Sequence, residues 1–78
     1  MSEHIQTTNG NHRNFNFYVR LCYLGKNTYK NYVSVRTPSG IEKRFEFDGN
    51  YSQEQTKCIV QQEINNFCDL KKSMLEKI

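Results

Sequence analysis

Apolar and polar residues alternate strictly from Asn14 to Leu24. One parity holds only large apolar or aromatic side chains: Phe15, Phe17, Val19, Leu21 and Tyr23. The other parity begins with Asn16, Tyr18 and Arg20. A period of two is typical of a strand with one buried and one exposed face. The pattern therefore requires a sheet with a core on one side.

Two further segments with the same period predict a three-stranded antiparallel sheet. The turn sequence Gly25-Lys26-Asn27 precedes the second strand, residues 29–37, in which Val33 and Val35 share a face. A second turn sequence, residues 37–40, contains Pro and Gly at the positions that a tight turn favours. The third strand is expected at residues 41–48, with Phe45 and Phe47 directed to the core.

A long amphipathic helix is predicted from Ser52 onward. Ser52 and Gln55 have the spacing of a capping box, and Glu54 suits the positive end of the helix dipole. Apolar residues then recur at spacings of three, four and seven, as on one face of a helix: Val60, Ile64, Phe67, Met74, Leu75 and Ile78. The expected fold is α+β, a β-β-β-α domain over residues 14–78 with one long C-terminal helix packed on one face of the sheet.

The segment before this domain, residues 1–13, is predicted to be a flexible arm. It contains one large apolar residue, Ile5, among Thr, Asn, Gly, His and Gln. Such a composition is typical of mobile termini and loops.

The predicted helix is longer than the sheet that it covers. Residues 52–77 would span about 39 Å at ~1.5 Å per residue, whereas a strand of five or six residues spans ~17–20 Å. Either the helix breaks near Asp69, or the overhang packs against a partner or a second copy. Under the second alternative, the chain forms a homodimer through Met74, Leu75 and Ile78.

Composition limits the class of protein. A chain of 78 residues has room for one core. Its three cysteines are odd in number and lack the paired spacing of a disulfide framework or zinc site, so reduced thiols are expected. No apolar stretch approaches the ~20 residues of a membrane span, and no signal sequence is recognisable, which predicts a cytoplasmic protein without a membrane partner.

Charge is distributed unevenly along the chain. Between Arg13 and Arg44 there are seven bases against one acid, Glu42, whereas the rest of the chain has four bases and seven acids. A basic segment of this kind favours a polyanionic partner, because bound phosphates release counterions. An ordinary solvated sheet face that resists edge-to-edge aggregation is the alternative interpretation.

The sheet face opposite the helix is the candidate binding site. Alternation assigns it two tyrosines and four bases as candidate nucleic-acid or partner contacts: Tyr18, Arg20, Lys30, Tyr32, Arg36 and Arg44. Tyrosine rings stack on bases, and guanidinium groups bind phosphates or guanine edges. Cross-strand tyrosine packing, with Glu42 and Glu46 paired to arginines, would instead describe an ordinary surface.

The order of these elements resembles the arm-type, AP2-like DNA-binding domain of phage and transposon tyrosine recombinases. The resemblance covers residues 15–68 and depends on FYVRL (17–21), YVSVR (32–36), KRFEF (43–47) and the helix after Ser52. It implies that the sheet enters a DNA major groove. The residues that it places toward DNA are Arg20, Lys30, Tyr32, Arg36 and Arg44.

A second hypothesis concerns a protein target. A small Asn-rich chain without a catalytic motif is also similar to phage accessory proteins that inhibit host or defence machinery, anti-CRISPR proteins among them. Its partner would then be a host protein or a ribonucleoprotein. The basic segment argues against DNA mimicry, which requires an acidic surface.

Catalysis receives little support from the sequence. His4 and His12 lie in the predicted arm, where neither ring could be positioned for general-base chemistry. Cys58 and Cys68 would lie ~15 Å apart on one helix, too far to share a metal. No catalytic residue, metal ligand or cofactor is predicted, and the chain is expected to be a binding module.

Overall fold

The computed structural model of the chain describes residues 3–77. Its elements are β1 (Glu3–His12), β2 (Phe15–Gly25), β3 (Thr28–Arg36), β4 (Glu42–Asp48), α1 (Gln53–Cys68) and a 3-10 helix, η1 (Met74–Lys77). The strands form one antiparallel sheet in the order β1-β2-β3-β4. The predicted α+β class, with an antiparallel sheet and a helix on one face, is therefore confirmed, whereas the predicted number of three strands is wrong.

The additional strand is β1, and the prediction of a flexible arm over residues 1–13 is wrong for residues 3–12. Arg13 and Asn14 both have positive φ, 53° and 67°, as the two central residues of a type I′ hairpin turn require. This turn pairs β1 with β2 from His12–Phe15 back to Glu3–Tyr23, with a bulge between His4 and Gln6.

The core-facing side of β1 is made of small or polar residues. Register places Gln6, Thr8, Gly10 and His12 opposite Leu21, Val19, Phe17 and Phe15. Gly10 leaves space for the ring of Phe17, since a Cβ atom at Gly10 would lie 2.8 Å from Phe17 Cζ. The ring of Phe17 thus covers β1 at Gly10, and α1 packs on the same strand, so β1 needs no apolar alternation of its own.

The core lies between the sheet and the C-terminal elements. Helix α1 packs on β1 and β2, and η1 packs on β4. The buried apolar cluster is Phe15, Phe17, Val19, Val33, Val35, Val60, Ile64 and Leu75, with Phe45, Phe47, Phe67 and Cys68 packed against it. This arrangement confirms the predicted core positions of β2, β3 and α1 with one exception, Tyr23, which is only half-buried.

The start of α1 is the one that the sequence predicts. Ser52 is the N-cap, and its Oγ accepts a hydrogen bond from Gln55 N at 3.2 Å. Gln55 Oε1 in turn accepts from Ser52 N at 3.0 Å, which completes the capping box. Two glutamine amides then attach this end to β1: Gln53 donates to the Thr7 carbonyl, and Gln6 donates to the Tyr51 carbonyl.

Helix α1 ends at Cys68, with Asp69 as its C-cap, instead of continuing to Lys77. Of the two alternatives that the sequence left open, a break near Asp69 is therefore confirmed. Lys71 N donates to Asn66 O at 2.7 Å, and Leu70 N donates to Phe67 O at 3.3 Å. Leu70 has a left-handed φ of 58°. These features define a Schellman motif with leucine at the position where glycine is usual.

After this bend the chain returns to the sheet. Glu63 Oε1 accepts a hydrogen bond from Met74 N at 2.8 Å, and Leu75 is fully buried in the core. The predicted overhang is therefore wrong for Leu75, which is unavailable to a second copy, and Met74 is half-buried. Ile78 lies outside the described residues. Dimerisation remains a prediction, without the overhang as its basis.

Candidate binding site on the open face of the sheet

The sheet face opposite α1, here called the open face, has no other element of residues 3–77 packed on it. Because directly paired residues project to the same side, the register defines four rows of side chains across β1, β2, β3 and β4. The rows are Asn11, Asn16, Arg36 and Glu42; Asn9, Tyr18, Ser34 and Arg44; Thr7, Arg20, Tyr32 and Glu46; and His4, Cys22, Lys30 and Asp48. All six binding residues predicted from the sequence lie on this face.

A shallow depression of about 530 Å³ lies at the centre of the open face. It is lined by Tyr18, Arg20, Tyr32, Val33, Ser34 and Arg44. Ser34 is the small residue of the central rows, and larger side chains stand around it. The depression therefore combines two aromatic walls with two guanidinium groups.

The two tyrosines are diagonal neighbours on adjacent strands. Tyr18 pairs with Ser34, and Tyr32 pairs with Arg20. Diagonal positions are ~7–8 Å apart, so the two rings can act as separate platforms. Tyr18 is 44% exposed and Tyr32 is 39% exposed, which leaves part of each ring available to a ligand.

Three of the four bases on the open face are paired with glutamates of β4. Lys30 Nζ lies 3.1 Å from Glu46 Oε1, Arg44 Nη2 lies 2.7 Å from Glu42 Oε2, and Arg36 Nη2 lies 3.9 Å from Glu42 Oε1. The hydrogen bond to Glu46, with its negative charge, raises the pKa of Lys30. Contacts of the kind expected for an ordinary solvated surface are thus present along β4.

Arg20 differs from the other bases of this face. Among the side chains that the structure describes, those of residues 3–75, it has no ion pair. It is exposed, stands opposite Tyr32, and follows Tyr18 by two positions on the same side of β2. Its guanidinium group therefore remains available to an anionic ligand beside both tyrosines.

The open face also contains residues of β1 that the sequence reasoning missed. Asn9, Asn11 and Thr7 extend the rows to one edge of the sheet, and Asn11 Nδ2 donates to Asn16 Oδ1 at 2.8 Å. His4 Nε2 and Thr7 Oγ1 share a 2.8 Å hydrogen bond. The high content of Asn and Thr in this segment was the available signal, but it indicated a loop equally well.

The fourth row of the open face contains a buried residue, Cys22. Alternation places this thiol on the open face, but it is only 1% exposed. A ligand therefore cannot reach the middle of the row that His4, Cys22, Lys30 and Asp48 form. All three cysteines are free. His4 and Asp48 are exposed at the two edges of this row, and the accessible centre of the face is formed by the first three rows.

The described residues offer little basis for a catalytic site, a metal site or a membrane-spanning helix. Both histidines lie on β1 and not on a mobile arm, and His12 Nε2 shares a 2.8 Å hydrogen bond with Asn65 Oδ1. In the part of the chain whose side chains are described, residues 3–75, His, Cys, Asp and Glu form no group of three that could hold a metal ion. None of the helices in the same range is long and apolar enough to cross a membrane.

Comparisons of the chain with protein-family models, with curated proteins and with solved structures find no match. Functional inference therefore depends on the geometry of the open face.

Proposed function

We propose that this chain is a non-enzymatic binding module that binds nucleic acid through the open face. The observation that carries the proposal is the central depression, where the exposed rings of Tyr18 and Tyr32 stand beside the guanidinium group of Arg20, which has no ion pair among the described side chains. A nucleotide offers each of these groups a matching partner, an aromatic base for the rings and a phosphate for the guanidinium.

The chemistry of this combination is general for polynucleotides. Base–aromatic stacking tolerates any base, because every base has a π-face, and each stacked base contributes ~1–3 kcal/mol. A guanidinium group binds phosphate oxygens bidentately and can also lie flat on a base. Arg44, which is largely exposed, provides a second guanidinium group at the opposite side of the depression.

One observation favours a protein target as the second candidate function. The open face contains four bases and three acids, so its net charge is only +1 with His4 neutral. A nearly neutral face with exposed tyrosines and arginines also suits the centre of a protein–protein interface. In that case the chain would be an inhibitor or adaptor that binds a host protein or ribonucleoprotein.

A salt titration of nucleic-acid binding tests the first candidate. We expect the wild-type chain to bind labelled oligonucleotides at ~50 mM salt, with log K falling linearly as log salt rises. Arg20→Ala with Arg36→Ala should remove about two phosphate contacts, and each contact accounts for ~0.7–0.9 of the slope. The slope of log K against log salt should therefore become shallower by about 1.4–1.8, the sum for two contacts.

Lys57→Ala with Lys71→Ala is the matched control, because both lysines are exposed and lie outside the open face. This pair removes the same charge, and the slope should change much less than with the arginine pair. Absence of binding by the wild type at ~50 mM salt, where electrostatic attraction is strong, would contradict the proposal and favour a protein target.

A further inference from the structure

We infer that the open face binds an unpaired, extended nucleic-acid strand and not a duplex. The inference rests on the proposed function and specifies its ligand. Three observations carry it: the width of the four-stranded sheet, the position of charge across that sheet, and the separation of the two tyrosines.

The width of the sheet opposes insertion into a major groove. Four strands have three inter-strand spacings of ~4.8 Å, so the axes of β1 and β4 lie about 14 Å apart before side chains are added. The major groove is only ~12 Å wide, enough for an α-helix or a two-stranded ribbon. A three-stranded sheet would be one spacing narrower, and β1 therefore changes which ligand the face can accept.

The position of charge also opposes a duplex. A sheet lying in a groove has its two edges beside the two phosphate backbones. On the open face, β1 presents the uncharged residues Thr7, Asn9 and Asn11. At the other edge, β4 presents three acids and one base: Glu42, Glu46, Asp48 and Arg44. Neither edge has the excess of bases that flanking phosphates require.

The central strands, unlike the edges, present bases and aromatic rings and no acid on the open face. Tyr18, Arg20, Tyr32 and Arg36 all lie on β2 and β3, with uncharged polar residues on the β1 side. A single strand that crosses the middle of the sheet places its phosphates near Arg20 and Arg36 and its bases on the rings. Asn9, Asn16 and Ser34 lie in the same two rows as Tyr18 and Arg36 and offer amide and hydroxyl groups to base edges.

The separation of the tyrosines agrees with an extended strand. The register makes Tyr18 and Tyr32 diagonal neighbours. The backbones of diagonal neighbours lie ~7–8 Å apart, about twice the ~3.4 Å that separates successive nucleotides along one strand of a duplex. Successive bases can reach both rings only when the strand is unstacked and drawn out. Base pairing would prevent this conformation.

The test compares three labelled probes by fluorescence anisotropy at ~50 mM salt: oligo-dT, oligo-rU and a mixed-sequence duplex, each of about 12 nucleotides or base pairs. We expect the single strands to bind at least about tenfold more tightly than the duplex, which corresponds to one stacking contact. A preference between oligo-dT and oligo-rU would identify the sugar that is recognised, and either preference supports the inference.

Tyrosine variants separate stacking from charge. Tyr18→Ala and Tyr32→Ala should each weaken single-strand binding by roughly 10-fold to 100-fold, while Tyr18→Phe and Tyr32→Phe should retain most of it, because the ring remains. Circular dichroism of each variant establishes that the sheet is intact.

Two outcomes oppose the inference, and they differ from each other. If the duplex binds as tightly as the single strands, and the alanine variants at Tyr18 and Tyr32 bind normally while Arg20→Ala does not, the proposed function stands and the single-strand inference is wrong. If no probe binds, both are wrong.

Discussion

The two faces of the sheet are formed by alternate residues of the same strands, yet one face is buried and the other is exposed. On the covered face, Phe17, Val19 and Val33 are almost fully buried beneath α1 and η1. On the open face, their immediate neighbours Tyr18, Arg20 and Tyr32 remain exposed. Residues that stabilise the domain and residues that are available for binding therefore alternate along one strand. Substitutions on the covered side should change the free energy of unfolding, and those on the open side should change affinity.

The largest expected effect tests what closes the covered face. Leu75→Ala should lower the free energy of unfolding by about 2–5 kcal/mol, because it leaves a cavity in the core of a small domain. Urea denaturation followed by circular dichroism measures this loss.

Leu70→Ala is the matched control for that experiment. Leu70 is 91% exposed, and alanine has the same restriction at its left-handed φ, so the change in unfolding free energy should stay within about 0.5 kcal/mol. Equal effects at the two leucines would mean that η1 does not close the core.

A second, smaller effect tests the contact between β1 and β2. Gly10→Ala should destabilise the domain by roughly 1–3 kcal/mol, since the added methyl group meets the buried ring of Phe17. In the absence of this contact, replacing a glycine at an ordinary φ usually stabilises by ~0.4–1 kcal/mol.

Asn9→Ala, one position away on the open face, is the control for Gly10→Ala and should be close to neutral for unfolding. Thermal denaturation of both variants checks the pair. A gain in stability for Gly10→Ala would show that β1 does not lie over Phe17.

The smallest expected effect concerns the bend between α1 and η1. Leu70→Gly should stabilise the domain by up to about 1 kcal/mol, because glycine adopts the left-handed conformation that costs other residues ~1–2 kcal/mol. Differential scanning calorimetry, with Leu70→Ala as the reference, measures the gain. A loss of stability would imply that the exposed leucine side chain has a contact of its own.

The parts of the fold that the sequence predicted are those with an apolar period or a specific cap. Alternation located β2, β3 and β4, and the Ser52–Gln55 pair located the start of α1. In each case the local pattern and the tertiary environment agree. Phe17, for example, belongs to the apolar parity of its strand and is also buried beneath the helix.

β1 was not predicted, and the end of α1 was predicted only as one of two alternatives, because the usual signals are absent from the local sequence. β1 faces the core with Thr8 and Gly10, and its turn begins with Arg13, which is uncommon at positive φ. The Schellman motif lacks the glycine that normally marks a helix end, since Leu70 occupies that position. Pairing with β2 and the burial of Leu75 compensate for these unfavourable local choices.

The sequence predicted which residues lie on the open face, but not which of them form ion pairs. Alternation placed all six residues on the open face, but it could not show that β4 glutamates form ion pairs with Lys30, Arg36 and Arg44. It also could not show that Arg20 has no ion pair among the described side chains. Ion pairing depends on register and rotamer, which a one-dimensional pattern does not contain. The asparagines of β1 were missed for the same reason as the strand itself.

The order of the strands has a consequence for how the chain folds. Every strand pairs with the next one along the sequence, through turns that are short, so the sheet can assemble by successive local closures of low entropic cost. Sealing the core is a different event, because Leu75 must reach a cluster that includes Phe15 near the other end of the described chain. Until that long-range contact forms, a nascent meander exposes its aromatic side to the solvent and to other chains. The risk of aggregation during folding is therefore greatest just before the last step, when the sheet is already hydrogen-bonded but its apolar face is not yet covered.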